Sequence, residues 1–107
     1  MEDQDYAEFI IRILRALEPK IETEESMLFE ELDEINEVIF ILDGVIDLGF
    51  QINKIKRYVL RFDCNFVIGA YNCTFNERSS FIYKCRTQCT GYYLRKHTWK
   101  ELLNEYP

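Results

Sequence analysis

Between Val38 and Phe50 the chain reads Val-Ile-Phe-Ile-Leu-Asp-Gly-Val-Ile-Asp-Leu-Gly-Phe, and this stretch restricts the fold more than any other. Five consecutive apolar residues run into an Asp43–Gly44 step and then into a second apolar-rich run. An Asp-Gly pair between two β-rich runs is a strong hairpin signal, because both residues tolerate the positive φ of a tight turn. The second run alternates, with Val45, Asp47 and Gly49 on one side and Ile46, Leu48 and Phe50 on the other, as a half-buried strand does. A central antiparallel hairpin is the expectation.

The flanking sequence supplies further short strands. Ile21 and Met27–Phe29 are apolar islands, followed by a charged loop from Glu30 to Glu37. Asn53–Lys54 reads as a turn, Tyr58–Phe62 as a strand, and Phe66–Gly69 as another after a short link. Phe81–Cys85 and Gly91–Arg95 read as the last two strands, separated by a polar stretch that ends in Thr90–Gly91. At the start, Asp5-Tyr-Ala-Glu8 has the spacing of a capping box, and Phe9, Ile10, Ile13, Leu14 and Leu17 form one helical stripe. That stripe is expected to pack on the sheet or on a partner, and Glu18–Pro19 to end the helix. Thr98-Trp-Lys-Glu101 repeats the capping pattern and opens a helix carrying Trp99, Leu102, Leu103 and Tyr106. The expected architecture is mainly β, one domain over residues 1–107: a helix at about 5–18, an antiparallel β-roll or jelly roll of about 7–8 strands at about 20–96, and a short helix at about 98–106.

The longest apolar run, Val38–Leu42, is far too short to span a membrane, and the acidic start lacks a signal-peptide pattern. A soluble, cytosolic chain is expected, and a soluble piece of a membrane protein fits equally. The net charge of −6 hides an asymmetry: fifteen acidic and three basic residues precede Leu48, against four acidic and ten basic from there on. An acidic chain argues against duplex nucleic acid. The basic half either attracts a small anion or pairs with the acidic half across the fold.

Cys64, Cys73, Cys85 and Cys89 are spaced by nine, twelve and four residues, which fits neither a paired CxxC zinc site nor a disulfide framework. They are expected to be reduced, small apolar residues. Asn72-Cys73-Thr74 matches a glycosylation acceptor, relevant only to a secreted chain. An enzyme is not expected. His97 is the one histidine, a jelly-roll oxygenase would need several metal ligands together, and no G-x-S-x-G nucleophile pattern occurs.

From Val67 to Ser80 the sequence is Val-Ile-Gly-Ala-Tyr-Asn-Cys-Thr-Phe-Asn-Glu-Arg-Ser-Ser: a short strand, a glycine, a polar turn and a lone arginine. A glycine permits close backbone approach, the following amides can converge on an oxyanion, and one guanidinium matches phosphate geometry. An ordinary loop with a solvated arginine has the same composition.

Together with Val38–Leu48 and Val59–Leu60, this stretch resembles the cyclic nucleotide-binding domain family over nearly the whole chain. The likeness is nearest to the cytoplasmic domains of voltage-gated and cyclic nucleotide-gated cation channels, including homology domains that have lost nucleotide binding. It implies a phosphate cassette on the amides after Gly69, around Tyr71 and Asn72, with Arg78 as counter-charge and Ser79 as hydroxyl donor. Cyclic AMP or cyclic GMP is the implied ligand, and no cofactor is required.

Most nucleotide-binding members carry, after the glycine, a glutamate that accepts from the ribose hydroxyl; here it is Ala70. An unmet buried donor costs about 1–3 kcal/mol, or roughly tenfold to a hundredfold in affinity. The Gly69-to-Arg78 spacing is also about a residue shorter than the common pattern, which alters where a guanidinium aims. The family's long C-terminal lid helix has no counterpart before Pro107. The resemblance therefore implies a cytoplasmic regulatory domain of a potassium or cyclic nucleotide-gated-type cation channel, partnered by the rest of its parent, with nucleotide binding weak or absent. The alternative is a competent cAMP- or cGMP-binding module of a channel or kinase regulator. Calorimetric titration with both nucleotides separates the two.

Overall fold

The computed structural model of the chain describes residues 3–63 and 65–105, so Cys64 and Tyr106 lie outside the described residues. Helix α1 (Asp3–Ala16) leads into eight strands: β1 (Glu18–Glu22), β2 (Met27–Phe29), β3 (Glu37–Asp43), β4 (Val45–Ile52), β5 (Ile55–Asp63), β6 (Phe66–Ile68), β7 (Ile82–Cys85) and β8 (Cys89–Arg95). A short helix α2 (Ala70–Phe75) separates β6 from β7, and α3 (Lys96–Glu105) follows β8. The strands form two antiparallel sheets, ordered β1-β8-β3-β6 and β2-β7-β4-β5. The expected mainly β roll, with a helix at each end, is the observed architecture.

The turn at Asp43–Gly44 forms, but the central hairpin expected there does not: β3 pairs with β8 and β6 while β4 pairs with β7 and β5, so this turn carries the chain from one layer of the roll to the other. Val38, Ile39 and Ile41 of β3, Ile46 and Leu48 of β4, Ile82 of β7 and Leu94 of β8 are buried. Dense apolar runs suit such strands because one face meets the opposite sheet while the other is covered as well. For β3 the cover is α2 and α3, which pack against it. Trp99 fixes the two helices together: its indole Nε1 donates to Thr74 Oγ1 at 2.9 Å, and that hydroxyl donates to the Ala70 carbonyl at 2.7 Å.

Several local expectations are corrected. Both capping boxes lie within helices, since α1 already includes Asp5 and α3 begins two residues before Thr98. The first backbone amide of α3, that of Lys96, is satisfied by the Asn36 carbonyl at 2.8 Å and needs no side-chain cap. Leu14, placed on the buried stripe of α1, is 62 % exposed. The half-buried pattern expected for β4 is not seen: its side chains alternate in direction, but Ile46, Asp47, Leu48 and Gly49 are all buried. Asp47 is covered on the outer side of the sheet by arginines from either side.

The last strand starts two residues earlier than expected, at Cys89, and takes in Thr90; Gly91 pairs with Lys20 of β1 and with Ile41 of β3. A Cβ at Gly91 would lie 1.9 Å from the Phe40 carbonyl oxygen, so only glycine lets β3 and β8 approach this closely. Strand β5 is longer than expected and forms the free edge of its sheet. Pro19 sits in β1, at the edge of the other sheet, where a missing N–H is tolerated.

Of the two readings of the charge asymmetry, the fold realises the second. Glu18–Arg95, Glu25–Lys84, Glu30–Lys56, Glu34–Arg78, Asp47–Arg61 and Asp47–Arg86 all join an acidic residue of the first half to a basic residue of the second. Most of these side chains are well exposed, and such pairs contribute only about 0–1 kcal/mol each. No described helix is long and apolar enough to cross a membrane.

Candidate functional site

The stretch expected to cradle an anion does not end in an open polar turn. After β6 the backbone turns at Gly69, whose φ of 91° is the left-handed conformation that favours glycine. A Cβ there would lie 2.8 Å from the Glu37 carbonyl oxygen. The chain then forms α2, closed at Asn76 by a second left-handed residue with φ 55°. Ala70, half-buried, is its first residue. Its methyl offers no acceptor at the position that a ribose hydroxyl would meet in the family pattern. Tyr71 is 65 % exposed, with its ring 4.8 Å from that of Phe75.

Asn72 and Arg78 are brought together through backbone rather than through a ligand. The Asn72 side-chain amide donates to the Arg78 carbonyl at 3.0 Å, and the Glu77 N–H donates to the Asn72 carbonyl at 3.0 Å. The Arg78 guanidinium turns to the loop between β2 and β3. There Nη1 donates to the Leu32 carbonyl at 2.9 Å and Nη2 pairs with Glu34 at 3.1 Å. It lines a cavity of about 280 Å³ with Glu34, Ile35, Asn36, Asn76, Glu77 and Lys96. These walls come from the loop before β3, the stretch just past α2 and the start of α3, and do not include Gly69, Ala70, Tyr71 or Asn72.

Ser79 is 2 % exposed and its hydroxyl is used internally, donating to the Phe81 carbonyl at 2.6 Å. Its backbone clamps the same loop: Ser79 N–H donates to the Asp33 carbonyl at 2.9 Å, and its carbonyl accepts from Leu32 at 2.8 Å. Leu32, Asp33 and Glu34, which the sequence reading left as a charged loop, are therefore what the arginine end of the cassette rests against. The pairing spans more than forty residues, and no local signal in the sequence announces it.

The cysteines follow the reduced, apolar reading where they are described. Cys73, Cys85 and Cys89 are free and buried, and burial pushes all three thiols up. Cys85 reaches about 12 through burial, reinforced by the adjacent Cys89. Since the thiolate is the reactive form, a thiol reagent at neutral pH is expected to leave these three unmodified until denaturant is added. Peptide mapping checks this, and labelling of any of them in the native chain as fast as in the unfolded chain would contradict it.

No family model and no curated protein matches the sequence. Solved structures do match the fold. The cAMP-bound regulatory domain of Toxoplasma gondii PKA superposes with a TM-score of 0.79 over 95 % of this chain and 38 % of its own, at 16 % identity. The fold is that of the cAMP-binding regulatory domains. A cAMP-independent PKA regulatory subunit from Trypanosoma cruzi, bound to guanosine, shares this cyclic nucleotide-binding fold at TM-score 0.80 and 15 % identity, over 92 % of this chain and 36 % of its own. So does the N-terminal domain of a Streptomyces coelicolor transcriptional regulator, at TM-score 0.76 and 16 % identity, over the whole of this chain and 73 % of its own. The chain thus spans little more than a third of the two kinase subunits.

Proposed function

We infer that the chain is a non-enzymatic regulatory module on the cyclic nucleotide-binding fold that works without a cyclic nucleotide. The observation that carries this reading is the position of Arg78. The guanidinium of the cassette is held by Leu32 and Glu34 at the far end of α2 from Gly69 and Ala70. Ala70 removes the ribose acceptor as well. The Trypanosoma cruzi neighbour supports the general possibility, since it is a regulatory subunit of a cAMP-independent protein kinase A on the same fold.

The solved neighbours support a regulatory role and favour no particular parent. A cytoplasmic position in a cation channel, potassium-selective or of the cyclic nucleotide-gated type, rests on the resemblance of Val38–Leu48 and Val67–Gly69 to the channel members. A full-length parent with six apolar spans upstream, one of them studded with arginines, would support it. A helix-turn-helix downstream instead would place the module in a transcription regulator. The competent nucleotide-binding alternative is favoured by one feature, the left-handed Gly69 opening a helical turn.

Isothermal calorimetry with cyclic AMP and cyclic GMP tests the reading. No saturable heat is expected from either nucleotide at concentrations reaching about 1 mM, which corresponds to about 4 kcal/mol of binding. Saturable heat that disappears in Arg78→Ala would overturn it in favour of the nucleotide-binding alternative.

A further inference from the structure

The outer face of the sheet β2-β7-β4-β5 buries a carboxylate that the cassette does not use. Ile46 and Leu48 point into the core, so Asp47 between them points outward, as strand alternation requires. It is nevertheless only 8 % exposed. Arg61, its cross-strand partner on β5, donates from Nε to Oδ1 at 3.1 Å. Arg86, just past β7, donates from Nη1 to Oδ2 at 3.3 Å. Both arginine side chains remain more than half exposed. With Asp47, Tyr58, Val59 and Leu60 they line a concavity of about 400 Å³.

The arrangement holds two planar donor forks in place, because each is tethered by one N–H to a carboxylate that is itself fixed and shielded. The remaining N–H groups are available on either side of the concavity. A single fork saturates a carboxylate ligand, whereas two forks arriving from different strands match a tetrahedral group with at least three oxygens. The charges agree: the cluster of Arg61, Arg86 and Asp47 retains one positive charge. Lys84, across the strand from Asp47, adds another once its exposed partner Glu25 swings away. The acidic chain as a whole disfavours a polyanion such as nucleic acid.

We propose that Arg61 and Arg86, oriented by Asp47, form an oxyanion site on the outer sheet face that takes one phosphate group, either as the free inorganic anion or as a monoester carried on a protein side chain. The site is separate from the Gly69–Arg78 cassette and does not depend on whether that cassette binds a nucleotide.

The test is heteronuclear NMR of the 107-residue chain, titrated at constant ionic strength with inorganic phosphate, with acetate, and with a phosphoserine peptide beside its unphosphorylated form. Inorganic phosphate is expected to shift the Arg61 and Arg86 side-chain resonances saturably and acetate to do so about tenfold more weakly. The double variant Arg61→Lys/Arg86→Lys keeps the charge and the contact with Asp47 but loses the forks; its phosphate affinity is expected to fall by about tenfold or more. Thermal melting without phosphate confirms that this variant is folded. Phosphopeptide binding at least as tight as inorganic phosphate, with no response to the unphosphorylated peptide, supports the site and assigns it to a protein-borne group. Tighter binding of inorganic phosphate supports it and assigns it to the free anion. A non-saturable response to phosphate, or an equal response in the folded lysine variant, overturns it.

Discussion

Gly91→Ala is expected to be among the most damaging single-methyl changes in the chain, removing about 4 kcal/mol or more of stability and leaving little folded protein at room temperature. The added Cβ would meet the Phe40 carbonyl oxygen at 1.9 Å, the Phe40 carbonyl carbon at 3.0 Å and the Ile41 Cα at 3.1 Å. All three are backbone atoms of β3, so no side chain can rotate out of the way. Relief requires β8 to part from β3, and that pairing runs from Glu37–Arg95 to Asp43–Thr90 through the centre of the first sheet. Thr90→Ala, one residue earlier and without this approach, serves as the comparison and should cost no more than about 1 kcal/mol. Urea denaturation followed by circular dichroism measures both. A Gly91→Ala midpoint close to that of the parent chain would mean that the two strands do not approach as described.

The second large effect is a gain of binding. Ala70→Glu combined with Glu34→Ala is expected to raise cyclic AMP affinity by roughly tenfold to a hundredfold over the parent chain. The first substitution restores the acceptor that the family pattern offers to the ribose hydroxyl. It also places a carboxylate in the first turn of α2, where the helix end favours negative charge. The second removes the carboxylate that holds Nη2 of Arg78. Both members of that pair are mostly exposed, so its loss should cost under about 1 kcal/mol and leave the fold intact. Each single variant should gain less than the pair, because an acceptor for the sugar and a counter-charge for the phosphate act on one ligand. Calorimetry on the four proteins measures the coupling. A folded double variant as silent as the parent would show that the pocket was lost for some other reason.

Much of the roll was legible because its signals are local. Asp43–Gly44 fixes the turn between β3 and β4, and Asn53–Lys54 fixes the β4–β5 hairpin with φ of 50° and 66°. Val38, Ile39, Ile41, Ile46 and Leu48 on either side of the first turn are buried, as their apolar runs suggest. What escaped the sequence reading was decided at long range. Helix α2 has no side-chain cap at Gly69, so nothing in its composition separates it from a polar turn; the left-handed Asn76 was its one available marker. The burial of Asp47 depends on Arg61 and Arg86, fourteen and thirty-nine residues away. The Arg78 cassette was recognisable as a phrase, but its occupation by Leu32 and Glu34 is a property of the assembled fold. Gly91 was read as the start of the last strand, but its close contact with β3 has no local signal, because an isolated glycine marks an element boundary and a close strand contact equally well.

The join between the last strand and the last helix has a mechanical consequence. Arg95 ends β8 and Lys96 begins α3, with no residue between them to serve as slack. The joint is braced by the Lys96 N–H on Asn36 and by Arg95 on Glu18. Torque applied to α3 by any binding partner must therefore either snap these braces or twist β8, which is gripped along its length by β1 and β3. The helix is geared to the sheet, so a push delivered at one reaches the other undamped.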